Sequence, residues 1–346
     1  MNVDKKYCMS SFLMFRTIVD DEKQFTEKIV PQKIDINFNR VPISSSDELY
    51  LSLKNKVEQA CKDGKAALAL SGGIDSAILA KFMPKGSTVY TFKCIVPGIN
   101  VTDETEMAAK YAQECGLKQK IVEIYWDDIV NYAPILMKHK GAPIHSIEIQ
   151  IYKASLQAKK DGFERLIFGE NADIIYGGMD GLLSKDWLIG EFIDRYSYVL
   201  PYKVLKNFEL ISEPFKKYTI DGKCDSYGFI NEYFRKESLG SYCNACETAG
   251  IEFIGPFSET YLSIPINYEK IRNGESKYLV REVFRKLYKN TEIPVKTPMP
   301  RPTNEWFKNW KGPEREEFYK HCTDNMSGDQ KWLVYILEQF LNLIEE

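Results

Sequence analysis

The sequence predicts an α/β protein, a doubly wound parallel sheet followed by a mainly helical C-terminal region. Three observations carry that expectation. Short apolar, β-branched runs at Ala66 to Leu70, Val89 to Val96, Lys120 to Tyr125 and Leu166 to Phe168 read as strands. Segments with apolar residues three and four apart, Ile74 to Met83, Glu104 to Cys115 and Glu148 to Lys160, alternate with them, and such β-α alternation winds into a parallel sheet. From about Asp194 the pattern changes to long aromatic-rich, helix-like stretches broken by "SEPF", "GPF" and "PVKTPMPRP".

Taken in order, the chain divides into an N-terminal segment, 1–45, an α/β domain, 46–200, and a mainly helical region, 201–346. Ser45 or Ser46 in "RVPISSSDELYLSLKNKVEQACKDG" is placed to cap a helix leading to the first strand. In "TDETEMAAKYAQECG", Thr102 is the expected N-cap, acidic residues fill the first turn and Gly116 stops the helix. A chain of 346 residues, 44% hydrophobic, can bury a large core. Its net charge of -3 excludes the basic excess that drives phosphate-backbone binding, so nucleic acid is not an expected partner. No run approaches the roughly 18 apolar residues of a membrane span, and no signal-peptide cleavage pattern follows the first apolar run. The eight cysteines are scattered through the chain rather than set in a compact framework, which fits a reducing cytoplasm.

The richest stretch is "ALALSGGIDSAILAKFM", residues 66–82. A turn of Ser71, Gly72, Gly73, Ile74, Asp75 and Ser76, directly after Leu70 at a strand's end, gathers backbone N–H groups at a helix N-terminus and so forms an anion cradle. Glycine lets a backbone approach an oxygen-rich ligand, and the two serines add hydroxyls. Asp75 would repel a bare phosphate. Its placement makes sense with Mg²⁺ between the two, because that cation takes carboxylate and phosphate oxygens together.

"SGGIDS" resembles the pyrophosphate loop of the N-type ATP pyrophosphatases, Ser-Gly-Gly-x-Asp-Ser, whose members cleave ATP between the α and β phosphates. The resemblance implies an adenine nucleotide α-hydrolase-like fold, ATP and Mg²⁺ as cofactors, and Leu70, Ser71, Gly72, Gly73, Asp75 and Ser76 as the nucleotide loop. A second stretch, "LIFGENADIIYGGMDGLL", is similar to the Gly-Glu-Gly-Ser-Asp-Glu-(x)2-Gly-Gly signature of the asparagine synthetase and β-lactam synthetase type of synthetase domain. Asn171, Ala172 and Ile174 depart from that signature, whereas Glu170 and Asp173 match it. Further on, "AGIEFIGPFSETYLSIPI" resembles the family's Glu-x-Arg-x-Pro-Phe-Leu-Asp stretch, with Ser258 and Glu259 in place of Leu-Asp, and "SKYLVRE" resembles its Lys-x-x-Leu-Arg segment. By this resemblance Asp75 and Asp173 hold the metal, Lys277 is the catalytic lysine facing the α-phosphate, and Glu170 accepts the proton of the attacking amine. Lys296 is a weaker second candidate.

The family's N-terminal glutaminase domain begins with a catalytic cysteine, whereas residue 2 here is Asn2 and the first 45 residues are too few for such a domain. The stretch "YCMSSFLMFRTIVDDEKQFTEKIVP" looks like a remnant of it. The resemblance therefore implies an ATP-dependent, AMP- and PPi-forming amide ligase. Its substrates would be a small-molecule carboxylate and ammonia or an amine, the nitrogen coming free, from a separate glutaminase subunit or from a second substrate. Two other readings stay open. A tRNA-modifying relative would need a basic face and a persulfide cysteine, against which the pI near 5.9 argues. A degenerate synthetase-like binding or regulatory subunit is suggested by Asn171, Ala172 and Ile174. Of the remaining polar residues, Cys243 and Cys246 form a lone CxxC that reads as helix packing. His139 and His145 are expected in a loop opening toward the site, and Tyr176 either lines the acyl pocket or packs.

Overall fold

A computed structural model describes residues 1–31, 39–295 and 299–345. Its centre is a five-stranded, all-parallel sheet made of β1 (Ala66–Ala69), β2 (Thr88–Cys94), β3 (Lys118–Ile124), β4 (Arg165–Ile167) and β5 (Glu252–Ile254). The strands lie in the order β5-β4-β1-β2-β3. The chain thus steps outward from β1 through β2 to β3, then returns to the other side of β1. That reversal leaves a crevice between the C-terminal ends of β1 and β4, where open α/β sheets bind ligands.

The four expected strands are present with slightly different ends. The fifth, β5, comes from the region expected to be helical, which also supplies Thr260–Leu262, a short strand paired in parallel with Val41–Ile43 of the N-terminal segment. Three residues of "EFI" are too few to show a period, so pairing with β4 rather than local pattern makes this a strand.

The helices that frame the sheet are α1 (Lys5–Phe15), α2 (Ser46–Ala60), α3 (Ile74–Ala80), α4 (Thr105–Cys115), α5 (Trp126–Lys140), α6 (Ile147–Lys160), α7 (Arg235–Ala249), α8 (Tyr278–Leu287) and α9 (Gly328–Glu345), with shorter ones in the segments between. Ser45 caps α2, its side chain accepting from the Glu48 N–H. Thr102 does not cap α4: the cap position belongs to Glu104, and Asp103 accepts from the Thr105 N–H at 2.8 Å. The histidine loop expected after the third strand is largely α5, which contains Pro134 and places His139 in its last turn. Among the described residues no helix is long and apolar enough to cross a membrane.

Alternation along β1 divides the core. Ala66, Leu68 and Leu70 face a layer formed by α2, α3, α4 and α8, while Ala67 and Ala69 face a layer containing α1, α5, α6, α7 and α9. A third, aromatic cluster joins α1 to the region after β4. The fully buried Phe15 ring lies 5.3 Å from Phe215 and 5.8 Å from Tyr196, centroid to centroid. Residues 5–15 are therefore core, not an appendage.

Phe15→Ala is expected to lower stability by about 3–5 kcal/mol, the range for emptying a fully buried phenylalanine site, read as a fall in the urea midpoint. An unchanged midpoint would show that the N-terminal helix docks without contributing to the core.

Candidate active site

The loop after β1 is held mainly by its own side chains. The Ser71 N–H donates to Ser76 Oγ at 3.0 Å, the two hydroxyls are 2.9 Å apart, and the Gly73 N–H donates to Ser71 Oγ at 3.2 Å. Leu70, the last residue before the turn, is pinned to β2: its N–H donates to the Tyr90 carbonyl and its own carbonyl accepts from Thr91 Oγ1, both at 2.8 Å. The serines thus shape the cradle at the start of α3. Gly72 packs against Glu104 and Met107, where an added Cβ would come within 3.3 Å of both.

Beside it runs the loop after β4, and glycine is what allows the two to touch. A Cβ on Gly169 would stand 2.9 Å from the Ser76 nitrogen and 3.0 Å from Asp75 Cβ. Asp75 and Asp173 face one another across this seam with Lys277 between them. Lys277 Nζ lies 2.7 Å from Asp75 Oδ2 and 3.1 Å from Asp173 Oδ1. A Cβ on Gly178 would fall 2.0 Å from Asp173 Oδ1 and 2.8 Å from Lys277 Cδ, so the second Gly of the Gly177-Gly178 pair is required by this ion cluster. Burial works to lower the Lys277 pKa, but the Asp75 and Asp173 carboxylates overcome it and hold the ammonium above the usual lysine value. The residue also has φ 54°, in the left-handed region that a side chain makes costly, at the N-cap of α8.

Both predicted metal carboxylates therefore converge on one cation. That arrangement fits Mg²⁺, which uses one or two carboxylates and fills its remaining positions with phosphate oxygens and water. Among the described residues no group of three or more His, Cys, Asp or Glu side chains could hold a metal alone.

Glu170 points the other way, toward α7. Ser238 Oγ donates to its carboxylate. Burial raises the Glu170 pKa, and hydrogen bonds from Ser238, Tyr242 and the Asn171 N–H oppose that rise. One loop thus delivers carboxylates to two sides, Asp173 to Lys277 and Glu170 to α7. Asn171 has φ 69°, and its Nδ2 donates to Ser258 Oγ at 3.0 Å. Two departures from the family pattern thus contact each other, and asparagine tolerates the left-handed backbone better than most side chains.

Not every expected residue joins the site. His139 Nδ1 meets Asn244 Oδ1 at 2.8 Å inside the helical layer, and His145 is buried between Arg16 and Arg301. Tyr176 is core, its hydroxyl 2.7 Å from Thr260 Oγ1. Cys243 and Cys246 are free, buried thiols on α7, and burial pushes Cys243 up to about 12. Lys296 lies outside the described residues. Sequence reasoning missed Glu104, whose carboxylate accepts from the Gly72 N–H; burial, with a smaller contribution from Asp103, pushes its pKa up to about 7. In the sequence the pair Asp103-Glu104 carries only the signal of acidic charge at a helix start.

The crevice thus brings a strand-end cradle, two carboxylates and a lysine together on a parallel α/β scaffold. The chain belongs to the asparagine synthase family, which matches over residues 48–252, and this is a family of ATP-dependent ligases and amidotransferases. A Methanocaldococcus jannaschii protein named "Putative asparagine synthetase (glutamine-hydrolyzing) 1" is 27% identical over 154 residues, covering 42% of this chain and 28% of its own length. The chain thus spans under a third of that relative. Solved structures with some likeness include NMN synthetase from Francisella tularensis, at 13% identity and TM-score 0.29, covering 74% of this chain and 99% of that one. NH3-dependent NAD synthetase from Campylobacter jejuni has 13% identity and TM-score 0.27, covering 74% and 100%. U34-tRNA thiolase NcsA from Methanococcus maripaludis has 17% and 0.28, covering 72% and 83%.

Lys277→Met leaves Asp75 facing Asp173 without their shared cation. The expected cost is about 1–3 kcal/mol, below the full buried-pair value because Asp173 is one-third exposed. Added MgCl2 should raise the melting temperature of this variant more than that of the unaltered protein, since an ion that binds only the folded state stabilises it. Equal responses to MgCl2 would show that the carboxylates do not share a metal position.

Proposed function

We propose that the protein adenylates a carboxylate with ATP, releases PPi, and passes the acyl group to ammonia or an amine, forming an amide and AMP. The observation that carries this reading is the meeting of Asp75, Asp173 and Lys277 at the crevice between β1 and β4. Family membership and the intact "SGGIDS" loop support it.

In this reading the loop of residues 71–76, at the start of α3, holds the pyrophosphate, and the seam closed by Gly169 and Gly178 sets the spacing of the carboxylates. Asp75 and Asp173 would hold Mg²⁺, which supplies charge neutralisation for the departing PPi. Lys277, brought over on α8, leans toward the α-phosphate as negative charge gathers there, a role that needs position more than chemistry. Glu170 takes the proton of the nitrogen nucleophile in the second step, and its raised pKa makes it a stronger base than an ordinary carboxylate. Nitrogen arrives as ammonia, through a separate glutaminase subunit, or on a second substrate. The reaction takes place in the cytoplasm, on a synthetase core into which Lys5–Phe15 is packed.

Asp75→Asn should cut AMP formation by about two to three orders of magnitude, the range for losing one oriented electrostatic contact, with an unchanged circular dichroism spectrum. Turnover equal to the parent sinks the metal assignment. The two half-reactions separate the other roles. Lys277→Ala should suppress ATP–PPi exchange by a similar factor, roughly two to three orders of magnitude. Glu170→Gln should retain most of the exchange while amide formation drops about 10²–10⁴-fold. Equal loss of exchange in both variants would make Glu170 a nucleotide or metal ligand instead. Ammonium or a primary amine should support amide formation, whereas glutamate released from glutamine by the purified protein would contradict the nitrogen assignment.

A further inference from the structure

The amides at the start of the loop after β1 already have acceptors within the chain, and one of those acceptors is out of place. The Ser71 and Gly73 N–H groups donate to the Ser76 and Ser71 hydroxyls, at 3.0 and 3.2 Å, and the Gly72 N–H donates to the Glu104 carboxylate. The hydroxyls suit a phosphate, because a hydroxyl that gives up an N–H can turn and donate its own proton to the incoming oxygen. An ionised carboxylate cannot. It only accepts, and it repels the polyanion that this loop receives in the reading above.

Its own helix does not use the Glu104 side chain. The residue stands at the N-cap of α4 without making a side-chain capping bond, and the Thr105 N–H is taken by Asp103 at 2.8 Å. The carboxylate turns instead to the neighbouring loop. A Cβ on Gly72 would stand 3.4 Å from Glu104 Oε1 and 3.2 Å from Met107 Cβ, so glycine at 72 leaves the start of α4 room to lie against the loop. The charged groups around Glu104 are engaged elsewhere. Asp103, on the same turn, pairs with Lys93 Nζ of β2 at 3.1 Å. From β3 comes the neutral Gln119, which donates to Thr91 Oγ1 and the Thr105 carbonyl, and Asp75, the charged residue of the loop, pairs with Lys277. Burial and the nearby Asp103 favour the protonated carboxyl, the Gly72 N–H opposes them, and the pKa is pushed up to about 7.

We propose that Glu104 is a further nucleotide-binding residue: it yields the Gly72 N–H to the pyrophosphate group and stays beside it as a carboxylic acid whose O–H donates to a phosphate oxygen. This rests on the assignment of the loop to pyrophosphate in the adenylation reading. One proton is drawn from solvent as the nucleotide binds and returns to solvent as it leaves. The direction of the pH dependence follows. Below about pH 7 the carboxyl already carries its proton and Glu104 contributes little pH dependence. Above that, each nucleotide must bind together with a proton, and the affinity falls toward about tenfold per pH unit.

The test is calorimetric titration of the parent and of Glu104→Gln with Mg²⁺ and α,β-methylene-ATP, whose bridging carbon prevents cleavage to PPi. Glutamine keeps the shape and an N–H donor but neither carries charge nor titrates, and the ligand's own titration is common to both proteins. At about pH 6 the two should bind within about threefold of one another, whereas at about pH 8.5 the variant should bind about 10–30-fold tighter. In buffers of different ionisation enthalpy, the parent should take up about one proton more than the variant at the higher pH. A carboxylate that merely braces the loop would weaken binding at every pH when altered. An affinity ratio independent of pH, with equal proton uptake, therefore overturns the proposal. If no carboxylic acid supports ATP–PPi exchange and the pH-dependent ratio is still found, the role of Glu104 stands and the adenylation reading fails. Exchange with a flat ratio leaves the adenylation reading standing without Glu104. Binding to neither protein overturns this role and the nucleotide assignment of the loop together.

Discussion

Everything at the crevice depends on one cation held between two carboxylates. Asp75 and Asp173 come from loops after different strands and would repel each other were Lys277 Nζ not within 3.1 Å of both. That single contact ties together the loop after β1, the loop after β4 and the start of α8, three segments spread over 202 positions of sequence. Its local costs are visible. Lys277 takes a left-handed backbone, and neither Gly169 nor Gly178 has room for a Cβ. Strain and glycine gathered at one ion cluster are what a site built for charge, not merely for stability, displays.

The scaffold explains why these segments meet. Strand order β5-β4-β1-β2-β3 makes β1 and β4 neighbours although they are separated by two strands and several helices in the chain. Parallel pairing then puts both C-terminal ends on one edge. α7 closes the side facing Glu170, and α1 with α9 packs in the same layer, so the N-terminal segment shares a core with the site rather than merely adjoining it.

How much of this the sequence showed follows from sequence distance. The strands β1 to β4 and the loop residues were legible because strand, turn and helix follow one another within a few residues, and each leaves a local pattern. The strand β5 was not, since three residues at an edge take their conformation from a partner 87 positions away. Glu104 was hidden because its role comes from the fold of β2 onto β1, not from its neighbours. The pairing of Arg16 and Arg301 on His145, across 129 and 156 positions, left no local trace. His145 alone, read as a loop residue, gave no sign of two buried guanidiniums.

The departures from the family signature bear on whether the site is competent. Asn171 stands where the pattern has Gly, and the structure requires a left-handed backbone there, φ 69°, which asparagine supplies at modest cost. Its side chain is then held by Ser258, itself a departure, whose hydroxyl also donates to the Glu170 carbonyl at 3.3 Å. Ala172 is fully buried and Ile174 nearly so, at 0% and 2% exposure, and each packs where a polar side chain would be left without water. The changes thus replace one internally consistent way of building the loop with another, and they leave Glu170 and Asp173 aimed at opposite sides of it. The two glycines serve this seam in different ways: Gly169 lets the backbone of Asp75 and Ser76 approach the loop after β4, and Gly178 leaves room for the Asp173 carboxylate and the Lys277 side chain.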